Sequence, residues 1–218
     1  MCSAEATSGS AFRELGERIV QLALAGAPAP VVLIDGPSGA GKSTLADAVV
    51  EAWPFPTGAA GVELVRLDDL YPGWEGLERG SAQVHDDLLA PLQAGRPAGW
   101  RRWDWAASEP AEWHAVAPGH PLIVEGCGCL TRATAPLADV RVWLDAADGI
   151  RKSRALARDA GAFDAHWDLW QRQWARLVAR ESPGGLADIV VDTGLDAGID
   201  GARRRSGPDR RSGGTFVQ

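Results

Sequence analysis

The segment Gly36-Pro-Ser-Gly-Ala-Gly-Lys42-Ser43 constrains the fold more than any other part of this 218-residue chain. It fits the pattern G-x-x-x-x-G-K-[ST], in which a glycine-rich loop and the start of a helix present backbone N–H groups to phosphate oxygens. The loop follows the branched apolar run Val31 to Ile34, which is typical of a strand buried on both faces. A helix is predicted directly after it, over 43–52. Strand, loop and helix in this order predict a phosphate-binding loop.

Strand and helix patterns alternate through the rest of the chain. We predict further strands over 62–67, 121–124, 140–144 and 187–191, and further helices over 10–25, 81–94, 146–160 and 163–180. This alternation predicts an α/β fold with a central parallel sheet of about five strands, covered on both faces. Such sheets bind ligands beyond the carboxyl ends of their strands. The segment Gly95 to Gly119, rich in Trp, Pro and Gly, receives no assignment.

Composition and charge restrict the possible partners. The formal net charge of −7 argues against a nucleic-acid-binding protein, and no apolar run approaches the roughly 20 residues that span a membrane. The N-terminus lacks the pattern of a signal peptide, and three cysteines do not form a disulfide framework, so a cytoplasmic protein is expected. We predict one domain over 1–200, and a basic, disordered tail over 201–218 that holds five arginines and one aspartate.

Several classes of protein that contain a phosphate loop have further motifs that this sequence lacks. A GTPase reads guanine through Asn-Lys-x-Asp, and this chain contains no asparagine. Motor proteins and AAA-type ATPases normally have an apolar strand that ends in Asp-Glu, whereas here the third strand ends in Glu125-Gly126. Cys127-Gly-Cys129 has no second Cys/His pair at zinc spacing, so no zinc site is predicted.

Together with the phosphate loop, four further segments resemble those of the P-loop small-molecule kinases, in the uridine kinase-like branch. In order along residues 31–192, they are Asp68-Asp-Leu-Tyr71, Trp103-Asp-Trp105, Leu122-Ile-Val-Glu-Gly126 and the arginine-rich stretch 151–159. The resemblance implies the three-layer P-loop NTPase fold with an arginine-bearing lid at about 146–162. It also implies transfer of the γ-phosphoryl group of ATP, with Mg²⁺, to the hydroxyl of a small molecule, for which a nucleoside is one candidate. The alternative is a nucleotide-binding ATPase or regulatory protein without such an acceptor.

The phosphate loop supplies the expected ATP and metal ligands. Lys42 can reach the β- and γ-phosphates, and the Ser43 hydroxyl can ligate Mg²⁺. Glu125 is a hard oxygen donor that would suit the same ion, although it could also be a capping acid before Gly126. The expected ATP-binding residues are Gly36, Ser38, Gly39, Ala40, Gly41, Lys42, Ser43, Thr44 and, from the lid, Arg151.

Asp68 and Asp69 follow the second predicted strand and so belong to the ligand edge of the sheet. A carboxylate there could accept the proton of a hydroxyl that attacks the γ-phosphate, or simply occupy a solvated turn or cap a helix. The resemblance implies that Asp68 is the base. Asp69 and three further residues are the expected acceptor contacts: Tyr71, Trp103 and Asp104.

Arg151, Arg154 and Arg158 are spaced three and four residues apart, so they share one helix face. They could bind transferring phosphoryl oxygens, with Arg154 and Arg158 as catalytic residues, or they could form an ordinary basic surface paired with Asp145, Asp148 and Asp159. The chain also has ten tryptophans. The recurrence of Trp167, Trp170 and Trp174 at helical spacing predicts a packing stripe, whereas a second group at 100–113 could stack a cyclic substrate.

The resemblance fails in two places. The segment Pro72 to Gly80 lacks the His-Pro and Phe-Asp of uridine kinases, and Ala106-Ala-Ser-Glu-Pro110 replaces their His and Arg. These missing residues belong to nucleoside recognition. The resemblance therefore supports the residues predicted for phosphoryl transfer better than it supports any particular acceptor.

Overall fold

Six strands form the main sheet of the computed structural model, which describes residues 2–54, 61–158, 161, 163–194 and 203–204. Five strands are parallel, and the sixth pairs antiparallel with its neighbour. In chain order, these strands are β1 (Val31–Asp35), β2 (Glu63–Arg66), β5 (Leu122–Glu125), β6 (Val140–Asp145), β7 (Ile189–Asp192) and β8 (Arg203–Arg204). Their spatial order is β2-β5-β1-β6-β7-β8, so β1 lies in the middle.

The central strands β1 and β5 are buried on both faces because they consist almost entirely of apolar residues. Leu33 faces one hydrophobic cluster, whereas its neighbours Val32 and Ile34 face the other. On the second face, Leu15 and Ile19 of α1 (Cys2–Gly26) pack with residues of α2 (Lys42–Ala52). The predicted α/β architecture with about five parallel strands is confirmed.

The other face carries the remaining helices. Leu77 of α3 (Leu77–Gln83) and Leu177 of α6 (Trp167–Glu181) are buried there. The remaining helical segments of the described chain are a π-helix (Val84–Leu89), α4 (Ala90–Gln93), α5 (Asp148–Arg158), α7 (Pro183–Leu186) and the short 3₁₀ helices Leu67–Asp69, Ala135–Leu137 and Asp164–His166. The prediction of one helix over 81–94 is therefore wrong in two respects. The observed helical segment begins earlier, at Leu77, and its hydrogen-bond pattern changes at Val84.

A β-hairpin accounts for the segment that the sequence left unassigned. Strands β3 (Ala98–Asp104) and β4 (Glu109–Val116) pair antiparallel, with an irregularity between Arg101 and Trp103. Most side chains of β4 are exposed or half-buried, so its apolar residues follow no simple alternation. The hairpin places its turn near the carboxyl end of β2, because the Trp105 indole donates a hydrogen bond to the Asp68 carbonyl.

Two predicted segments lie partly outside the described residues. The lid predicted at 146–162 corresponds to α5, but residues 159, 160 and 162 are not among those described. Of the predicted tail over 201–218, the structure describes Arg203–Arg204, which form β8. Within the described part of the chain, no helix has the length and apolar character needed to cross a membrane.

Candidate active site

The phosphate loop connects the carboxyl end of β1 to α2. Gly36, Gly39 and Gly41 all have positive φ angles, of 151°, 81° and 90°. A Cβ added to Gly39 would lie 2.0 Å from the main-chain oxygen of Arg151, and one added to Gly36 would lie 2.2 Å from that of Leu144. Glycine is therefore needed for the loop to turn and to pass this close to β6 and α5. The predicted loop is present in the expected place.

Lys42 begins α2 and is 8% exposed. Its ammonium group donates a hydrogen bond to the Pro37 carbonyl at 3.1 Å, so the side chain folds back over its own loop. Burial lowers the pKa of Lys42, but Cys127, Glu125 and Asp68 outweigh this effect and raise it above its ordinary value. Lys42 thus remains charged beside the loop, as phosphate binding requires. Thr44, another predicted ATP contact on α2, is exposed.

Ser43 and Glu125, the two residues predicted to hold Mg²⁺, are in direct contact. The Ser43 hydroxyl donates a hydrogen bond to Glu125 Oε1 at 2.9 Å. Arg66, at the end of β2, donates to the same oxygen at 3.1 Å and to Asp47 at 2.6 Å. Burial raises the pKa of Glu125, which is 3% exposed, although Lys42 acts in the opposite direction. Sequence reasoning missed Arg66. The sequence feature that could have identified it is its position at the end of a predicted strand, where ligand-binding residues are expected.

Asp35 is a second residue that sequence reasoning missed. It is fully buried, and its carboxylate accepts hydrogen bonds from the main-chain N–H groups of Gly36, Gly128 and Leu130 at 2.6, 2.9 and 2.8 Å. Burial raises its pKa to about 6 despite these hydrogen bonds. Asp35 therefore ties the start of the phosphate loop to the segment after β5. The sequence feature that could have identified Asp35 is its place as an acidic residue directly at the end of a strand that is predicted to be buried.

Asp68 lies in the single helical turn Leu67–Asp69 that follows β2. The side chains of Asp68 and Arg158 are both largely exposed, and Arg158 Nη2 lies 3.9 Å from Asp68 Oδ2. Asp69 is half-buried, and burial together with the adjacent Asp68 raises its pKa. Of the two predicted acids, Asp68 lines the pocket beside the phosphate loop.

This pocket has a volume of about 150 Å³. Its polar lining consists of Ser38 from the phosphate loop, together with Asp68 and Arg158. The other lining residues in the described part of the chain are aromatic, and they are Tyr71, Trp74, Trp105, Phe163 and Trp170. The pocket thus connects the phosphate loop to the predicted base, which is the position expected for an acceptor.

The predicted acceptor contacts divide between the pocket and the hairpin. Tyr71 is buried and lines the pocket, while its hydroxyl donates a hydrogen bond to the Cys127 carbonyl at 2.8 Å. Asp104 accepts hydrogen bonds from the N–H groups of Ala106 and Ala107, so it stabilises the hairpin turn. Trp105 lines the pocket, and its neighbour Trp103 does not. Of the Trp103-Asp-Trp105 segment, the structure thus brings the third residue to the pocket.

The three predicted lid arginines do not converge. The Arg151 guanidinium donates to Asp148 at 2.8 and 3.0 Å and to Gln171 at 3.1 Å, and it is 8% exposed. Arg154 donates to the Thr193 carbonyl at 3.1 Å. Each of these two side chains is thus held by a partner on its own helix or on a neighbouring element, and Arg158 alone among the three lines the pocket. The pairing of Arg151 with Asp148 agrees with the alternative that the sequence left open, but Arg151 itself is buried and does not belong to an exposed basic surface.

The tryptophans of α6 are buried as a packing stripe predicts. Trp167, Trp170 and Trp174 are all less than 8% exposed and belong to one cluster with β5 and β6 residues. Trp170 also lines the pocket, where its ring meets Tyr71 edge-on at a centroid distance of 4.8 Å. Trp170 therefore both packs in the hydrophobic cluster and lines the pocket.

Cys127 and Cys129 are buried free thiols in the segment after β5. The Cys127 sulfur lies 3.5 Å from Lys42 Nζ and 3.3 Å from the Gly36 carbonyl oxygen, which it contacts as a donor. Burial raises the pKa of both thiols, so they remain protonated at neutral pH. They pack beneath the phosphate loop and take part in its hydrogen bonding.

Comparisons with known proteins agree with this geometry. A family model described as "AAA domain" matches residues 32–165, which include the phosphate loop, Asp68, Glu125 and α5. The cytidylate kinase of Methylococcus capsulatus is 29% identical over 178 residues, or 76% of this chain and 74% of that protein. The difference from AAA-type ATPases at Glu125-Gly126 thus does not exclude the AAA domain family.

Solved structures with the same fold include two kinases. A possible uridine kinase from Bacillus stearothermophilus has a TM-score of 0.51 at 20% identity, covering 81% of this chain and 98% of that one. A candidate fructose transport system kinase from Silicibacter sp. TM1040 has a TM-score of 0.50 at 18% identity, covering 76% and 95%. The predicted resemblance to P-loop small-molecule kinases is confirmed.

Proposed function

Since the chain belongs to the AAA domain family of P-loop proteins, we propose that it transfers the γ-phosphoryl group of ATP to the hydroxyl of a small molecule. The kinase relatives and the P-loop fold support phosphoryl transfer in general. One observation carries the step to a small acceptor. A pocket lined by aromatic rings lies between Ser38 of the phosphate loop and the Asp68 carboxylate.

The reaction follows from the positions of the charged groups. The loop N–H groups and Lys42 hold the phosphates of ATP, and the acceptor hydroxyl lies at Asp68. The hydroxyl oxygen forms a bond to the γ-phosphorus, and the bond from that phosphorus to the β–γ bridging oxygen breaks. The electron pair leaves with ADP, and the hydroxyl proton passes to the Asp68 carboxylate. Arg158, 3.9 Å from Asp68, neutralises charge on the transferring group.

The donor set beside the loop fits Mg²⁺. Ser43 and Glu125 provide a hydroxyl and a carboxylate within 2.9 Å of each other, and both are oxygen donors of the kind that this ion prefers. These two residues would hold the ion, which when bound would supply positive charge to the ATP phosphates. The free thiols of Cys127 and Cys129 suit the cytoplasm, which is the compartment we propose.

An ADP-release assay tests the proposed function. Purified protein with ATP and Mg²⁺ is given a panel of nucleosides, sugars and other small alcohols, and we expect at least one to stimulate ADP release. Asp68→Asn should lower the stimulated rate by about 10²- to 10⁴-fold, the contribution typical of a general base, and leave ATP affinity unchanged. The matched control is Glu17→Gln, an exposed carboxylate on α1. Steady ATP hydrolysis that no alcohol changes would instead favour the ATPase alternative.

A further inference from the structure

Arg66 and Glu125 are register partners at the carboxyl ends of the neighbouring parallel strands β2 and β5. Leu64 and Ile123 lie two positions before them and pack in the hydrophobic cluster that α2 covers. Residues two positions apart on a strand point to the same face of the sheet. The side chains of Arg66 and Glu125 therefore share the face that carries α2.

Ser43 and Asp47 form the matching pair on α2. They are four residues apart, so they are neighbours on one face of the helix. Ser43 donates a hydrogen bond to Glu125 Oε1 at 2.9 Å, and Arg66 Nη1 donates to the same oxygen at 3.1 Å. Arg66 Nη2 donates to Asp47 Oδ1 at 2.6 Å. These hydrogen bonds form a continuous chain that begins and ends on α2.

This chain of hydrogen bonds fixes the orientation of the Glu125 carboxylate. Its Oε1 atom accepts one hydrogen bond from α2 and one from β2, and the residue is buried. The planar guanidinium of Arg66 places two of its N–H groups on two different carboxylates, so Arg66 is itself held by Asp47. Glu125 is thus held from both sides in the absence of any ligand.

We propose that Arg66 is a positioning residue for the metal site. It holds the Glu125 carboxylate beside Ser43, where these two residues would receive Mg²⁺, and Asp47 anchors it. Side chains that hold a metal ligand in this way typically contribute about 10- to 100-fold to metal affinity. This inference rests on the proposed function, because it concerns the ion that would accompany ATP.

The charge of Arg66 has the opposite effect to its hydrogen bonds. A guanidinium beside the metal site repels a cation, so the loss of its charge alone would strengthen Mg²⁺ binding. The direction of the change in Mg²⁺ binding therefore distinguishes positioning from charge. Arg66→Lys adds a second distinction, because it keeps the charge and loses the planar fork that bridges the two carboxylates.

Binding of adenylyl imidodiphosphate, a non-hydrolysable ATP analogue, tests the proposal without any reaction. Isothermal titration calorimetry gives its Kd in EDTA and its Kd with excess Mg²⁺, and the ratio of the two reports the contribution of the ion. We expect Arg66→Gln to lower this ratio toward one, by as much as about 10- to 100-fold, and to leave the Kd in EDTA unchanged. Arg66→Lys should also lower the ratio. The matched control is Arg79→Gln, an exposed arginine on α3 that should keep the parent ratio.

Asp47→Ala tests the anchor at an exposed helical position, where the substitution does not endanger folding. This variant should lower the ratio less than Arg66→Gln does, because Arg66 can still donate to Glu125. Glu51→Ala, an exposed acid one turn further along α2, should keep the parent ratio. If the Arg66 variants do not fold, Asp47→Ala decides between the parent ratio and a lowered one.

An unchanged or raised ratio in Arg66→Gln would overturn the positioning role, as would the parent ratio in Arg66→Lys or Asp47→Ala. An equal rise of both Kd values in Arg66→Gln would also overturn it, since Arg66 would then act on the phosphate loop. These outcomes leave the kinase function intact. A parent ratio of one would contradict the metal site and this inference together, whereas a parent that does not bind the analogue would overturn the proposed function itself.

Discussion

The indole Nε1 of Trp105 donates a hydrogen bond of 2.8 Å to the main-chain carbonyl of Asp68. The two residues are 37 positions apart, and the bond joins the turn of the β3–β4 hairpin to the carboxyl end of β2. Trp105 also packs against Trp74, its neighbour in the pocket lining, at a centroid distance of 4.9 Å. The hairpin therefore forms one wall of the acceptor pocket and fixes the backbone of the proposed base.

Replacing Trp105 with Phe removes this hydrogen bond and keeps an aromatic ring. We expect kcat/KM for the acceptor to fall by about 2- to 10-fold, the value of one neutral hydrogen bond, while KM for ATP stays unchanged. Steady-state ADP release at varied acceptor and varied ATP measures both. Trp113→Phe is the control because Trp113 is half-exposed and does not line the pocket. A similar loss in both variants would contradict the role of the Trp105 bond.

Lys42 and Lys152 are the two lysines of the chain, and they provide a matched pair. Lys42→Ala removes a buried ammonium group from the phosphate loop, so we expect the Kd for ATP·Mg²⁺ to rise by about 10- to 100-fold, as for loss of a charge-assisted hydrogen bond. Lys152 lies over the Trp167 ring at 5.6 Å, outside the phosphate loop, and Lys152→Ala should keep the parent affinity. Isothermal titration calorimetry measures both values. An unchanged Kd for ATP·Mg²⁺ in Lys42→Ala would show that the phosphate loop is not part of the ATP-binding site.

Local patterns predicted the centre of the molecule well. The run Val31 to Ile34 and the phosphate loop are adjacent in sequence, so hydrophobicity and glycine spacing were sufficient to predict both. The strands β5, β6 and β7 are also short apolar runs, as expected of strands buried on both faces. The hairpin was not predictable in this way, because β4 is mostly exposed and carries no alternating apolar pattern.

The arginines of α5 show what spacing alone cannot determine. Their three- and four-residue spacing placed Arg151, Arg154 and Arg158 on one helix, and this is correct. Their partners are instead set by the elements packed around α5. Arg151 reaches Gln171 and Arg154 reaches Thr193, residues 20 and 39 positions away. Such contacts depend on tertiary packing, which a single sequence does not reveal.

Gly39 offers a test of the loop geometry. It has a φ of 81°, and a Cβ at this position would lie 2.0 Å from the Arg151 carbonyl oxygen. We expect Gly39→Ala to lower the free energy of unfolding by at least about 1 kcal/mol, because a side chain in the left-handed region costs about 1–2 kcal/mol before any clash. Gly149→Ala in α5 is the control: no atom lies within 4 Å of its added Cβ. Gly149→Ala should leave the free energy of unfolding unchanged or raise it slightly, and urea unfolding measures this quantity for both variants. Equal stability would contradict the close approach of the loop to α5.

Asp35 predicts a specific dependence of stability on pH. Burial raises its pKa from 3.8 to about 6 in the folded state, although three main-chain N–H groups donate to it. Below pH 3.8 the carboxyl is protonated in both the folded and unfolded states. Between pH 3.8 and about 6 the folded state holds the proton more tightly, so the stabilisation that this protonation provides is lost as the pH rises.

We therefore expect Asp35 to reduce the free energy of unfolding by about 2–3 kcal/mol between pH 4 and pH 7, since each pKa unit corresponds to 1.36 kcal/mol and the unfolded-state carboxyl is already partly ionised at pH 4. Asp35→Asn cannot titrate, and its altered hydrogen bonds add an offset that does not vary with pH. The free energy of unfolding of the parent minus that of Asp35→Asn should thus fall by this amount across the interval, as measured by urea unfolding at several pH values. Glu17→Gln, on the exposed face of α1, should follow the parent curve. Parallel curves for the parent and Asp35→Asn would show that Asp35 does not titrate in this range, and that the phosphate loop is held by a carboxylate charged throughout.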